Sequence, residues 1–295
     1  MRNIILRVIV WIVGVPLLVA IIWFLPFQNH LVFNVLVVIA SALGTRELAS
    51  LFERKDAGYR ASSLIIPVLG MVFPLCELLI LNGVVPEHTR EVLIYAIPAV
   101  ILLLQLLRRD TEGFRHTLTN SAANIALLIY PGLLLSYLIR LSGLRSASAV
   151  VLTFLCLVFF NDTMAYVSGM AYRVLRDLSA RRRGTEWKPR FVFPVSPTKT
   201  VVGFARGLLI APVTLVAASL IFPDTFAGST VALLLVGLAV GAATIMGDLI
   251  ESALKRSATS KDSGSLIPGR GGVLDSIDSV LYAAPVFYYL VGYVL

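Results

Sequence analysis

Residues 247–279, GDLIESALKRSATSKDSGSLIPGRGGVLDSIDS, lie between two strongly apolar stretches of the chain. They contain five carboxylates and four cations among several glycines, whereas the rest of the chain is apolar with short basic loops. Charged side chains beside a bilayer are costly and usually have a function. Carboxylates bind divalent metals, while cations and glycine amides bind phosphate. The segment therefore indicates phosphoryl or nucleotidyl chemistry at a membrane surface.

The composition is that of an integral membrane protein. Of the 295 residues, 58% are hydrophobic and only 14% are charged, whereas a soluble domain has about 25% charged residues. No stretch is polar enough to fold as a separate soluble domain. In a multi-pass protein, the net charge of +8 reports orientation and contact with anionic lipid, so we expect no nucleic-acid partner.

Apolar runs of about 20 residues, the length that crosses a bilayer, predict an all-α, polytopic membrane protein with about nine transmembrane helices. The predicted spans are Ile4–Leu25, Leu31–Phe52, Ser62–Val85, Val92–Leu107, Leu118–Ile139, Ala147–Tyr172, Val201–Phe222, Thr230–Leu254 and Ser276–Leu295. We divide the chain into N-terminal transmembrane helices at 1–150 and a C-terminal transmembrane catalytic region at 151–295, which includes the 247–279 segment.

The basic residues predict the orientation of these spans. Of the 25 Lys and Arg residues, all except Arg90, Arg140 and Arg145 lie on the side that carries the N-terminus and the 255–275 loop. The positive-inside rule makes this side cytoplasmic, so the N-terminus is predicted to be cytoplasmic and the C-terminus outside. We therefore expect a multi-pass protein of the cell inner (cytoplasmic) membrane with its active site facing the cytoplasm.

Helical spacing groups the charged residues at each end of the segment. Asp248, Ser252 and Lys255 are spaced i, i+4 and i+7, so they share one helix face. An unpaired acid at the depth of Asp248 would cost roughly 2.5–3.5 kcal/mol, which a bound cation would offset. Asp275 and Asp278 share a face at the start of the last span. Carboxylates from two helix ends suit Mg²⁺, which binds one or two carboxylates together with phosphate and water.

Two further motifs lie on the same side of the membrane. Residues 161–166, NDTMAY, place Asp162 inside the sixth span, where an internal hydrogen bond and an ion or substrate contact explain it equally well. Residues 196–200, SPTKT, open the seventh span. Ser196, Thr198 and Lys199 beside the amides of a helix start predict an anion site, although a proline there also fits an ordinary helix start.

Three other acids are interpreted as structural or have no explanation. Glu251 is predicted to form an ordinary helix pair with Lys255, four residues later. Arg46 and Glu47 are predicted to pair at the cytoplasmic end of the second span. Glu77 lies deeper in an apolar stretch, and the sequence offers no role for it.

The segment closely resembles the signature of the phosphatidate cytidylyltransferases (CDP-diacylglycerol synthases), Ser-x-apolar-Lys-Arg-x4-Lys-Asp-x-small-x2-apolar-Pro-x-His-Gly-Gly-apolar-x-Asp-Arg-apolar-Asp. The matching residues are Ser252, Lys255, Arg256, Lys261, Asp262, Gly264, Ile267, Pro268, Gly271, Gly272, Asp275 and Asp278. Residues 162–166 and 196–200 match shorter motifs of the same family. Arg270, Ser276 and Val202 stand where the family usually has His, Arg and Glu, which suggests a diverged subgroup.

The resemblance implies that CTP and phosphatidate in the bilayer react to give CDP-diacylglycerol and pyrophosphate. It implies Mg²⁺, with K⁺ as a second cation, and it assigns metal binding to Asp248 and Asp275. The other predicted catalytic residues are Asp262, Asp278, Lys255, Arg256 and Lys261, and the predicted substrate-binding residues are Ser196, Thr198, Lys199, Ser252, Arg270, Gly271, Gly272 and Asp162. The resemblance also allows a homodimer.

Three alternatives stay open at this point. The first is a relative that activates another lipid phosphate, and the second is a transporter for an anionic solute. A transporter of this kind has charges at the bilayer midplane in interrupted helices, whereas the charges here cluster at one end of the spans. The third is a non-catalytic scaffold, which the retained acids disfavour.

Overall fold

The computed structural model describes residues 2–56, 59, 65–105, 115–183, 185 and 192–295, and the side chains within these ranges except those of 2–11, 192 and 198. Its helices are α1 (Arg2–Phe24), α2 (Phe27–Lys55), α3 (Ile65–Leu81), α4 (Thr89–Leu104), α5 (Thr117–Leu127), a π-helical segment (Leu128–Leu133), α6 (Leu134–Leu141), α7 (Ala147–Arg182), α8 (Val201–Ile221), α9 (Thr230–Ser257) and α10 (Leu274–Val291). Apolar runs form helices because hydrocarbon offers backbone N–H and C=O groups no other partners. The predicted all-α class is confirmed.

Among the described residues, five helical stretches are long and apolar enough to cross a membrane. They are Phe27–Lys55, Thr117–Leu141, Ala147–Arg182, Val201–Ile221 and Thr230–Ser257. The helices α3 and α4 have 17 and 16 residues, and at about 1.5 Å per residue they are shorter than a hydrocarbon core of about 30 Å. A polytopic membrane protein is therefore confirmed, while nine crossings and the orientation of the termini stay predictions.

A short β-hairpin precedes α8. Its strands are β1 (Val192–Phe193) and β2 (Ser196–Thr200), and they pair antiparallel. The seventh span was predicted to begin at Val201, and the helix does begin there with Thr200 as the N-cap, but the strand formed by the preceding residues was not predicted. Pro197 gives a physical reason, since a proline disfavours the helical conformation of the residue before it.

The chain is organised in two compact units. The first contains Met1–Val151 and Leu254–Ile277, and the second contains Leu152–Ala253 and Asp278–Leu295. One division lies beside the predicted boundary at 150, whereas residues 254–277 cluster with the N-terminal helices. The signature segment is thus shared between the two units.

A buried ion cluster in the first unit gives Glu77 a role. The Glu77 carboxylate on α3 lies 2.5 Å from Arg90 Nε and 2.7 Å from Arg140 Nη2, and its side chain is 4% exposed. Arg140 also lies 4.2 Å above the ring of Tyr137. Because a buried charge is tolerated only with such partners, we infer that the cluster ties α3 to the start of α4 and the end of α6.

Small residues let the helices of the second unit approach closely. A Cβ atom on Gly207 of α8 would lie 2.9 Å from the backbone oxygen of Asn161 on α7. Asn161 is fully buried and donates its Nδ2 to Gly241 O of α9 at 3.0 Å. Small residues at helix crossings and amide bonds between helices are typical of membrane proteins. The half-buried Asp162 therefore follows a residue at the centre of a tight three-helix contact.

Candidate active site

Asp248 pairs with Lys199 in the second unit. Lys199 Nζ lies 2.5 Å from Asp248 Oδ2 and 3.3 Å from Ser252 Oγ. Helical spacing puts Asp248 and Ser252 on one face of α9, and β2 supplies the lysine. The structure therefore brings three predicted site residues into one cluster, in which the acid has a cation as its partner.

The remaining residues of the predicted anion site lie in β2 and at the start of α8. Ser196 is buried in the strand, and the side chain of Thr198 lies outside the described residues. The amide of Gly203 donates to Thr200 Oγ1 at 3.1 Å, so this helix-start donor already has an acceptor. An anion contact at this helix start stays a prediction, and Lys199, the cation predicted for it, is paired with Asp248.

Asp278 marks a close helix crossing in the second unit. Its side chain is buried, and its Oδ1 accepts a hydrogen bond from Ser279 N at 2.6 Å. The backbone oxygen of Asp278 lies so close to Gly247 that a Cβ atom there would overlap it. A glycine is therefore required where α9 meets α10, and Asp248 is the next residue along α9.

Asp275 is held by hydrogen bonds on both of its carboxylate oxygens in the first unit. Oδ1 lies 2.6 Å from Lys255 Nζ, while Oδ2 accepts from Gly272 N at 2.7 Å and from both Ser263 N and Ser263 Oγ at 2.9 Å. Burial favours a higher pKa for Asp275, but the bonds from Lys255, Gly272 and Ser263 outweigh it and hold the pKa below its ordinary value. Asp275 is therefore ionised at neutral pH, as a metal ligand has to be.

The glycines before Asp275 build a tight turn. In residues 267–270 the fourth N–H donates to the first carbonyl at 3.1 Å, and Gly269 has a φ of +77°. Proline followed by a glycine with positive φ is typical of a type II turn. The amide of Gly271 donates to Ile267 O at 3.0 Å, and that of Gly272 donates to Asp275. Both glycine amides predicted to bind substrate therefore have acceptors within the loop.

The remaining predicted site residues lie in the same loop. Arg256 Nη1 donates to the backbone oxygen of Ser260 at 3.2 Å. Lys261 and Asp262 are exposed, and Arg270 is half-buried. Their contacts with substrate phosphates stay predictions.

Glu47 contacts this loop, which the sequence did not predict. Its carboxylate on α2 accepts hydrogen bonds from Val273 N at 2.9 Å, from Leu274 N at 2.8 Å and from Ser263 Oγ at 2.9 Å. The sequence predicted a pair with the adjacent Arg46, because no local pattern links Glu47 to residues more than 200 positions away. The one feature of the sequence that points to a role for Glu47 is an acid within an apolar helix.

Asp248 and Asp275, the predicted metal ligands, belong to different units. Within the described ranges, no three His, Cys, Asp or Glu side chains are grouped as a metal site. The predicted site needs only two carboxylates, because Mg²⁺ completes its ligands with phosphate and water. The donor chemistry fits Mg²⁺, since backbone and hydroxyl donors hold Asp275 Oδ2 while Oδ1 faces a cation, the Lys255 ammonium.

The sequence model of the cytidylyltransferase family matches residues 5–294. A phosphatidate cytidylyltransferase of Bacillus subtilis (strain 168) is 34% identical over 202 residues, which are 67% of this chain and 67% of that protein. A phosphatidate cytidylyltransferase of Synechocystis sp. (strain ATCC 27184 / PCC 6803 / Kazusa) is 28% identical over 272 residues, 88% of each chain. The uncharacterized protein YnbB of Escherichia coli (strain K12) is 34% identical over 192 residues, 64% of this chain and 58% of that protein. The chain thus spans less than two thirds of YnbB and a larger share of the other two relatives.

Proposed function

This chain belongs to the cytidylyltransferase family, and on that premise we propose that it transfers a cytidylyl group from CTP to phosphatidate. The products are CDP-diacylglycerol and pyrophosphate. The names of the Bacillus and Synechocystis relatives support this choice of acceptor. The observation that carries the proposal is the ionised, firmly held carboxylate of Asp275 beside the Lys255 ammonium, an arrangement that suits cation-assisted phosphate chemistry.

The reaction is a displacement at the α-phosphorus of CTP. A phosphate oxygen of phosphatidate forms the new P–O bond, while the bond from the α-phosphorus to the bridging oxygen of pyrophosphate breaks. The second pKa of a phosphate monoester is about 6, so the acceptor is anionic at neutral pH and needs no general base. The enzyme's task is to align two anions and to offset their repulsion with fixed cations.

Mg²⁺, with K⁺ as a second cation, would neutralise phosphate charge when it is bound by Asp248 and Asp275. Lys199 and Lys255 pair with these acids, and we assign them contacts with phosphate oxygens as well. We assign further phosphate contacts to Arg256, Lys261 and Arg270, supporting contacts to Asp162, Asp262 and Asp278, and contacts with the nucleotide or the lipid headgroup to Ser196, Thr198, Ser252, Gly271 and Gly272.

We place the reaction at the cytoplasmic face of the cell inner membrane. The distribution of Lys and Arg supports a cytoplasmic N-terminus, about nine crossings and an outside C-terminus. The acyl chains of phosphatidate then stay in the bilayer while its phosphate reaches the charged segment. We also propose that the enzyme forms a homodimer.

The test is the incorporation of label from [α-³²P]CTP into lipid by the purified protein in mixed micelles that contain phosphatidate. We expect a labelled CDP-lipid and release of pyrophosphate. Asp275→Asn is expected to lower the rate at least about 100-fold, the loss typical of a key electrostatic group. Asp224→Asn changes an exposed acid in the loop between α8 and α9 and should leave the rate unchanged. Wild-type turnover by Asp275→Asn would refute the metal role.

A relative that activates another lipid phosphate is the second candidate, and the departures from the family signature favour it. At one of these positions, Ser276 Oγ donates to Gly272 O at 3.1 Å, so the residue has a local structural contact in place of an arginine. Replacing phosphatidate by lysophosphatidate and by a polyprenyl phosphate in the same assay separates the two candidates. A faster reaction with either replacement would reassign the acceptor.

A further inference from the structure

We propose that Glu47 is a positioning residue for Asp275, an inference that rests on the proposed function because it concerns the same metal site. Glu47 lies on α2 and contacts the loop between α9 and α10 through its carboxylate. Both carboxylate oxygens accept bonds from donors of this loop. Glu47 therefore acts on the metal through the loop and not as a ligand.

Glu47 holds the main chain that carries Asp275. Glu47 bonds the amides of Val273 and Leu274, the two residues immediately before Asp275. Leu274 is the first residue of α10, and the amides at a helix start lack partners in their own helix. The positive end of the helix dipole also favours an anion there. Glu47 thus fixes the helix start from which the Asp275 side chain extends.

The hydroxyl of Ser263 contacts both acids. Ser263 Oγ lies 2.9 Å from Glu47 Oε2 and 2.9 Å from Asp275 Oδ2, and the residue is 1% exposed. A hydroxyl has a single proton, so it donates to one carboxylate at a time. The amide of Ser263 donates to Asp275 as well. A change at Glu47 therefore reaches Asp275 through a residue that both carboxylates contact.

Two glycines of the signature lie against the Glu47 carboxylate. A Cβ atom on Gly264 would lie 2.5 Å from Glu47 Oε1, and one on Gly272 would overlap Glu47 Oε2 and Ser263 Oγ. The absence of a side chain at both positions lets the carboxylate approach the loop. Gly272 is also the residue whose amide holds Asp275. The loop is therefore built around two carboxylates, of which Glu47 is supplied by a helix outside the signature.

The experiment compares Glu47→Gln with Glu53→Gln, the same change at an exposed position of α2. The glutamine keeps the length of the side chain but loses its charge. Its amide group also turns an N–H toward one of the three groups that donate to Glu47. Hydrogen exchange of the 263–275 amides is expected to become about 10-fold faster or more in Glu47→Gln, because charged hydrogen bonds are lost. In the substrate-free protein, Mn²⁺ affinity measured by electron paramagnetic resonance should fall about 10–100-fold, the usual cost of removing a partner of a metal ligand.

The activity assay gives a further measure of metal binding. In Glu47→Gln, the Mg²⁺ concentration for half-maximal rate should rise by a similar factor, and high Mg²⁺ should recover much of the rate, whereas Asp275→Asn should not recover. Unchanged amide exchange and unchanged Mn²⁺ affinity in Glu47→Gln would overturn the proposal. Ser263→Ala, which removes only the shared hydroxyl, should change both quantities in the same direction by less, and it serves if Glu47→Gln does not fold.

The outcomes also separate this inference from the proposed function. Suppose that the wild type forms no labelled CDP-lipid, while Glu47→Gln shows faster amide exchange and weaker Mn²⁺ binding. This result would support the positioning role and contradict the proposed function alone. A wild-type protein that forms labelled CDP-lipid but does not bind Mn²⁺ would contradict the positioning role alone.

Discussion

Lys255 Nζ lies 2.6 Å from Asp275 Oδ1, and both side chains are largely buried. The second predicted metal ligand, Asp248, has the same kind of partner in Lys199. Each acid is therefore neutralised by a lysine of its own unit. In the proposed reaction Asp248 and Asp275 would hold the metal, and Lys199 and Lys255 would contact phosphate oxygens.

Removing Lys255 is expected to leave a buried, uncompensated carboxylate. Lys255→Met should lower the free energy of unfolding by about 3 kcal/mol, because breaking a buried ion pair costs about 3–5 kcal/mol. The double variant Lys255→Met/Asp275→Leu should regain stability but no activity. Arg181→Met breaks a pair with Asp177 in which the side chains are 76% and 51% exposed, so it should cost below about 1 kcal/mol. Thermal unfolding in detergent measures all three, and equal losses in Lys255→Met and Arg181→Met would contradict the assignment.

Glu77 should be required for the stability of the first unit. Glu77→Gln leaves Arg90 and Arg140 without their shared carboxylate, and we expect a loss of about 3–5 kcal/mol. The matched change Glu87→Gln affects an exposed acid between α3 and α4 and should shift the unfolding temperature little. A wild-type unfolding temperature for Glu77→Gln would show that the cluster does not stabilise the packing of α3.

Gly247 should not tolerate a side chain. Gly247→Ala places a Cβ atom against the backbone oxygen of Asp278, and overpacking of this kind costs about 1–3 kcal/mol. The shift also displaces Asp248, so the rate of CDP-lipid formation should fall with stability. Gly14→Ala is the control, because a Cβ atom there has no neighbour within 4 Å and alanine favours a helix by about 1 kcal/mol. Equal effects of the two substitutions on unfolding temperature would argue against the close crossing.

Removal of divalent metal should stop the reaction. We expect EDTA to lower the rate of label transfer at least about 100-fold and Mg²⁺ to restore it. Ca²⁺ should restore much less, because it prefers about six to eight oxygen ligands at longer distances than Mg²⁺ does. Full activity in excess EDTA would exclude Asp248 and Asp275 as ligands of a required metal.

The positions of the helices could be predicted from hydropathy alone. An apolar run in hydrocarbon has to bond its own backbone groups, and a helix does this locally. The ends of the helices were less predictable. The sixth span was predicted to stop at Tyr172, but α7 continues to Arg182, because hydropathy marks the part that crosses the lipid and arginine is itself a good helix former. The hairpin at 192–200 was missed because two short strands have no periodic pattern that distinguishes them from a helix start.

Within the site, spacing along a single helix could be read directly, and the structure has Asp248 and Ser252 on one face with Lys199 as their common partner. Such periodicity is local, so the amino-acid order contains it. Glu47 and Glu77 were misread or left unexplained, because their partners come from other segments of the chain and, for Glu47, from residues up to 227 positions away. A buried charge is stable only when its lost hydration is replaced by neighbours, and packing in three dimensions selects those neighbours.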